Sequence, residues 1–276
     1  MKNILTIAAA TLLVFATAFA QFSDFECMPH APGFYIMGYP GYFTASKFYD
    51  ADGNSQDLAE NWTGFGFAVR PAYSGVVNNH RWNVSAVLPY QSLDLGGSET
   101  QSGIGDMQFS AAYWIWDNHG KGHNLSVWFW ADMPTGNDEK GLGTGQMNLR
   151  PGLAYCWDKY PYQMQTSVFY NIRMKNSDTE FKPGNELWAN WSLCYSFQPN
   201  FMVGAEIESG WGMQEDKFND VSGTDTKDNW FKVGPSVQYQ LMPNLGLKVQ
   251  GLYNAFGKNT SRTLDLGARF EYSFNK

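Results

Sequence analysis

The stretch "NLSVWFWADMPTGND", Asn124–Asp138, decides the fold class. Leu125 to Met133 is almost continuously apolar or aromatic, as in a strand buried on both faces, yet Asp132 sits inside it. Successive strand side chains point to opposite faces. Leu125, Val127, Phe129, Ala131 and Met133 therefore share one face, and Ser126, Trp128, Trp130 and Asp132 the other. The first face suits hydrocarbon. The second suits a polar lumen that happens to carry two indoles.

The same period-two split recurs along the chain. It appears in "DMQFSAAYWI" (106–115), "MNLRPGLAYCW" (147–157), "YQMQTSVFYNIRM" (162–174) and "ELWANWSLCYSF" (186–197). It continues in "FMVGAEIESGW" (201–211), "FKVGPSVQYQL" (231–241), "LGLKVQGLYN" (245–254) and "TLDLGARFEYSF" (263–274). Alternation in so many segments marks strands, and no window of similar length has helical periodicity. Aromatics at 17%, 28 glycines and only 16% charged residues point the same way.

A soluble sandwich also alternates, so two further features choose. Short connections (Gly75–His80, Asp117–Asn124, Asp158–Pro161, Gln198–Asn200, Met242–Asn244) interleave with long polar ones. The expected long loops are Thr44–Asn61, Gln91–Ser102, Thr135–Gln146, Lys175–Asn185, Gly212–Asn229 and Phe256–Arg262. Outer-membrane barrels have this asymmetry, with turns in the periplasm and loops outside. Rings such as Tyr90, Tyr113, Trp157, Tyr162, Tyr195, Trp211, Tyr239 and Tyr272 gather at strand ends, where amphipathic rings meet headgroups. Segments of about nine to eleven residues suffice to cross hydrocarbon at a tilt. The expectation is an all-β, transmembrane, antiparallel up-and-down barrel of about twelve strands, its first strand Gly33–Phe43 interrupted by Pro40.

The N-terminus fits that location. "MKNILTIAAATLLVFATAFAQ" has a basic start at Lys2, an apolar run from Ile4 to Phe15 and an A-x-A pattern at Ala18–Ala20. Residues 1–20 are expected to be a signal peptide, 21–32 an N-terminal periplasmic segment and 33–276 the barrel of a Gram-negative outer membrane. The run is too short for a comfortable anchor helix. Cys27, Cys156 and Cys194 are odd in number and scattered, so no disulfide framework is expected. A net charge of −7 disfavours nucleic acid as a partner.

With this register the lumen carries Arg70, Arg81, Arg150, Arg173, Lys232, Lys248 and Arg269. They face Asp106, Asp132, Glu186, Glu206, Glu208, Asp265 and Glu271. Such charges either set solute selectivity or pair with one another and fill the interior. Trp114, Trp116, Trp128, Trp130, Phe169 and Trp188 add an aromatic inner wall, which either stacks a solute or plugs a narrow barrel.

Three marks occur in order: "GIGD" (103–106), "MPTG" (133–136) and "GLGTGQMNLRPGLAY" (141–155). In these the chain resembles the outer-membrane barrels linked to transport in the meta-cleavage phenol-degradation pathway. The resemblance implies a barrel fold, an outer-membrane location and uptake of aromatic compounds. The last strand, "LDLGARFEYSFNK", resembles the C-terminal signal recognised by the barrel-insertion machinery, although Asn275 and Lys276 follow the terminal aromatic. Membrane lipid and a small solute are the other expected partners.

An outer-membrane phospholipase is the main enzymatic alternative, and it needs a His and a Ser together at the outer rim. His30, His80, His119 and His123 fall before the barrel or in expected periplasmic turns. No G-x-S-x-G, H-E-x-x-H or Walker loop occurs. His119 and His123 alone make no structural metal site. The acidic stretch Met213–Asn229 lacks calcium-loop spacing and is expected to be an exposed loop. No cofactor, metal or enzymatic activity is expected. A closed structural or adhesive barrel is the remaining alternative to a channel.

Overall fold

The computed structural model describes residues 30–97, 99–118 and 122–274. The expected signal peptide, Cys27 and His119 lie outside these residues. The strands are β1 (Gly33–Tyr49), β2 (Ser55–Val77), β3 (His80–Asp94), β4 (Met107–Asp117), β5 (His123–Met133) and β6 (Asn148–Lys159). They continue as β7 (Tyr162–Arg173), β8 (Glu186–Gln198), β9 (Phe201–Gly212), β10 (Asn229–Met242), β11 (Leu245–Lys258) and β12 (Thr260–Ser273). Each pairs antiparallel with its chain neighbours, and β1 pairs with β12, which closes the barrel. A short strand, Gln101–Ile104, precedes β4 and extends it along β3. Closure leaves no unpaired edge for hydrocarbon to meet.

The five expected short turns join strands at one rim, where Gly33 and Ser273 also lie. Asn78 and Asn79, both at positive φ (49° and 62°), form the two-residue turn between β2 and β3. That conformation matches strand twist, and Asn tolerates it. At the opposite rim two expected loops are instead strand. β1 and β2 continue through most of Thr44–Asn61 and turn only at 50–54, where Asp50 Oδ1 accepts the Asn54 N–H at 2.8 Å. β11 and β12 likewise turn tightly at Asn259 instead of looping over Phe256–Arg262. Above the membrane a strand no longer needs an apolar face, so alternation fades while pairing persists.

Prolines sit where the ladder can spare them. Pro40 pairs with Phe67 of β2, and the β1–β12 register is interrupted between Gly38 and Gly41. Pro151 and Pro235 likewise pair on one side and coincide with interruptions on the other. A residue without an N–H fits such gaps.

The outer face carries exposed Phe65, Phe129, Leu193, Val249 and Leu266, an apolar belt that suits lipid. The inner face carries one contiguous cluster with members from β1 to β8 and β10, including Met37, Tyr39, Trp114, Trp128, Trp130, Phe169, Trp188 and Trp230. The 213–228 region is more built than an open loop. It holds a small hairpin (Lys217–Phe218 and Val221–Ser222) that pairs with Phe181–Lys182.

Candidate functional site

The opening stretch behaves as its alternation requires. Ser126, Trp128, Trp130 and Asp132 are buried on the inner face, whereas Val127 and Phe129 are exposed outside. Around Trp130 the interior is layered. The Arg70 guanidinium lies 4.6 Å from its ring centre and the Arg150 guanidinium 5.3 Å. Arg150 also lies 5.2 Å from Trp188, and Trp128 stacks on Trp130 at 6.0 Å. Trp188 meets Trp230 edge-on at 6.1 Å, with the Lys232 ammonium 5.4 Å from the Trp230 ring. Ser85 Oγ accepts from Arg70 Nε at 2.9 Å and fixes the guanidinium plane. Desolvated cation–π contacts of this kind are worth about 2 kcal/mol each. Gly210 gives Trp230 a flat seat, since a Cβ there would lie 2.4 Å from the indole nitrogen.

The charges pair. Arg150 lies 2.7 Å from Asp132, Lys248 2.8 Å from Glu206 and Lys232 2.6 Å from Asp265. Arg173 pairs with Glu186. Arg269 meets Glu271 at 3.5 Å, with His30 3.7 Å from the same carboxylate. Glu206 also accepts from Ser192 at 3.0 Å and Ser236 at 2.6 Å, satisfying lone pairs that burial would otherwise leave bare. Glu208 has the weaker partner, Gln250 Nε2 at 3.5 Å. Arg81 pairs at 3.2 Å with Asp117, a residue absent from the expected set.

Ten of the fourteen expected lumen charges, with Trp114, Trp128, Trp130, Phe169 and Trp188, take buried positions on the inner face, and the half-buried Arg81, Glu208, Asp265 and Glu271 join them. Trp116 does not. It is 50% exposed, because a bulge between Trp114 and Trp116 shifts the register against β5 and turns the ring outward onto His123. One inserted residue flips every later side chain, and the alternation of β4 gave no sign of it. Met37 and Tyr39, wholly buried on β1, join the interior without having been expected there.

The outer mouth is organised by Asp106. Its Oδ1 accepts the Gly136 N–H at 2.9 Å and its Oδ2 the Thr144 N–H at 2.7 Å. Gln91 Nε2 donates to the Leu142 carbonyl at 2.8 Å, and the Leu142 side chain packs with Phe43 and Leu93. Thr135 Oγ1 accepts the Met107 N–H at 2.8 Å. A Cβ at Gly143 would lie 2.7 Å from Asp106 Oδ1, so only glycine admits the carboxylate there. The three short marks are thus one construction: a buried carboxylate holds loop 134–147 across the mouth.

Among the described residues, His30, His80 and His123 lie away from that mouth. His80 Nδ1 is 2.9 Å from the Trp114 carbonyl and His123 Nδ1 2.7 Å from the Tyr155 hydroxyl, both at the short-turn rim. Arg173 and Glu186 sit at the long-loop rim beside Asp228, whose carboxyl burial pushes up to about 7.

A family model described as "Putative MetA-pathway of phenol degradation" matches residues 41–270. Among solved structures, an outer-membrane channel from Pseudomonas putida F1 superposes with a TM-score of 0.82 at 15% identity. That alignment covers 92% of this chain and 99% of that one. The translocator domain of the autotransporter NalP from Neisseria meningitidis gives 0.56 at 8% identity, covering 99% and 98%. At these identities the likeness is one of fold. No curated protein matches the chain.

Proposed function

The chain belongs to the phenol-degradation MetA-pathway family, and from that premise we propose that it is an outer-membrane channel for passive uptake of small solutes, aromatic compounds foremost. The observation that carries this reading is the Trp130 indole layered between Arg70 and Arg150. A ring already held by guanidinium faces can be exchanged for a solute ring without leaving either cation bare. Paired charges on the inner face, such as Arg150 with Asp132 beside the ring and Lys248 with Glu206 elsewhere in the interior, would offer polar contacts to a substituent hydroxyl or carboxylate. Residues 1–20 would act as the signal peptide, and β12 would present the insertion signal to the barrel-insertion machinery. No catalytic role is assigned to His30, His80 and His123, which stand at the rim opposite the loops.

The test is solute flux into proteoliposomes. Faster swelling with phenol or benzoate than with sugars of similar mass is expected, and rates equal to empty liposomes would refute transport. The contiguity of the buried interior cluster favours a second reading, a closed structural or adhesive barrel. Discrete single-channel current steps in planar bilayers separate the two: their presence marks a channel, and silence marks the closed barrel.

A further inference from the structure

On the lipid-facing side of the barrel, directly above the apolar belt, β1, β2, β11 and β12 enclose a groove of about 380 Å³ lined by Thr44, Lys47, Asn61, Tyr253, Arg262 and Leu264. We propose that this groove binds a phosphate of the glycolipid in the outer leaflet. Lys47 and Arg262 are direct cross-strand partners in the β1–β12 ladder. Like charges placed opposite each other destabilise a strand pair unless an anion lies between them. The bulge between Ala45 and Lys47 creates this juxtaposition, since it brings Lys47 onto the outward face beside Arg262.

The two cations are poorly neutralised by the chain itself. Lys47 Nζ lies 3.0 Å from Asp57 Oδ1, but that carboxylate is 80% exposed and water screens most of the attraction. Arg262 stacks 5.1 Å over the Tyr253 ring and has no carboxylate partner among the described residues. Its Nε is sealed from solvent without an acceptor. The charges inside the barrel are handled differently, as Arg150, Lys248 and Lys232 each have a carboxylate within 3 Å.

Placement selects the ligand. Leu264 and Tyr253 form the lower edge of the groove, and Tyr42, Phe65 and Leu266 are exposed on the same face below it. The short turns between strands lie at the opposite rim, and outer-membrane barrels keep short turns in the periplasm, so this rim faces outward from the cell. An anion reaching two cations at this level, with a ring and a leucine beneath, is a headgroup phosphate whose acyl chains run down the belt. The proposal is independent of transport through the lumen.

The full chain in detergent micelles provides the test, with the unfolding midpoint followed by tryptophan fluorescence. Added lipid A is expected to raise the midpoint by several degrees, while dephosphorylated lipid A and inorganic phosphate do not. The double variant Lys47→Gln/Arg262→Gln is expected to fold, having lost a repulsion, and to lose the lipid A shift. No shift in the wild type, an equal shift with inorganic phosphate, or a shift retained by the double variant would overturn the proposal. Asp57→Asn tests it without touching either cation: a larger lipid A shift supports the site, and an equal or smaller one counts against it.

Discussion

Asp106 Oδ2 accepts the backbone N–H of Thr144 at 2.7 Å, thirty-eight residues along the chain and on the far side of a folded-in loop. The other oxygen takes the Gly136 N–H, so one carboxylate fastens both ends of the same segment. The loop's other long-range polar anchors include Gln91 to Leu142, Met107 and Gly105 to Thr135, and Asn176 to Asp138 and Thr144.

Asp106→Ala is therefore expected to free loop 134–147. Two part-buried amides lose their acceptor, at about 1–3 kcal/mol each. Lys140, exposed within the loop, should become a trypsin site in proteoliposomes, and single-channel conductance should rise. Cleavage no faster than in the wild type would show that the carboxylate does not hold the loop.

Much of this was legible in the alternation of single strands. Period two fixes which face a side chain takes, so the inward placement of Arg70, Asp132, Arg150 and Glu206 follows from their neighbours alone. Pairing is a different matter. Lys248 with Glu206 and Arg81 with Asp117 depend on register across strands distant in sequence, which no single segment encodes. Trp116 was misplaced for the related reason that a bulge leaves composition unchanged while reversing the face. The strand extensions at 44–49 and 256–258 were hidden because polar residues in water lose the alternation that lipid imposes. The marks around Asp106, Gly136 and Thr144 were visible as motifs, but their mutual contact was not.

Asp132 and Arg150 should behave as a unit. Both are shielded from solvent, so Arg150→Ala leaves a buried carboxylate unpaired and is expected to cost about 3–5 kcal/mol. Replacing both, as Arg150→Met with Asp132→Leu, should recover most of that loss, because neither apolar side chain needs a partner. Urea midpoints of the refolded barrel in vesicles measure both. A double variant as unstable as the single would mean that packing of the Arg150 stem on Trp130 and Trp188, and not the charge pair, sets the cost.

The outer rim should respond to pH through Asp228. Burial pushes its carboxyl up to about 7, Arg173 pulls it down less strongly, and Asp216 adds to the rise. The folded state thus disfavours the charged form relative to the unfolded chain. Stability from this group is fully present below the ordinary carboxylate range, near pH 4, and is lost as pH rises through about 7. Hydrogen exchange at Gly212, whose N–H donates to the Asp228 carbonyl at 2.6 Å, should slow more between about pH 7.5 and about pH 5.5, on either side of that titration, than intrinsic exchange chemistry predicts. Asp228→Asn should abolish the excess; an unchanged excess would assign it to another group.

Trp130 is where stability and flux can be separated. Trp130→Ala removes a large buried ring and should cost about 3–5 kcal/mol, so a loss of flux in that variant alone proves little. Trp130→Phe keeps an aromatic face between Arg70 and Arg150, and it discards an Nε1–H that has no acceptor in the fold. The phenylalanine variant is therefore expected to fold nearly as well as the wild type and to retain a preference for aromatic over sugar solutes. In the alanine variant the guanidinium groups lose their shared ring, so small-anion flux should rise while that preference disappears. Swelling rates with benzoate, chloride and a pentose, taken on both variants at matched folded fraction, make the comparison. Equal preferences in the two would remove Trp130 from the solute path.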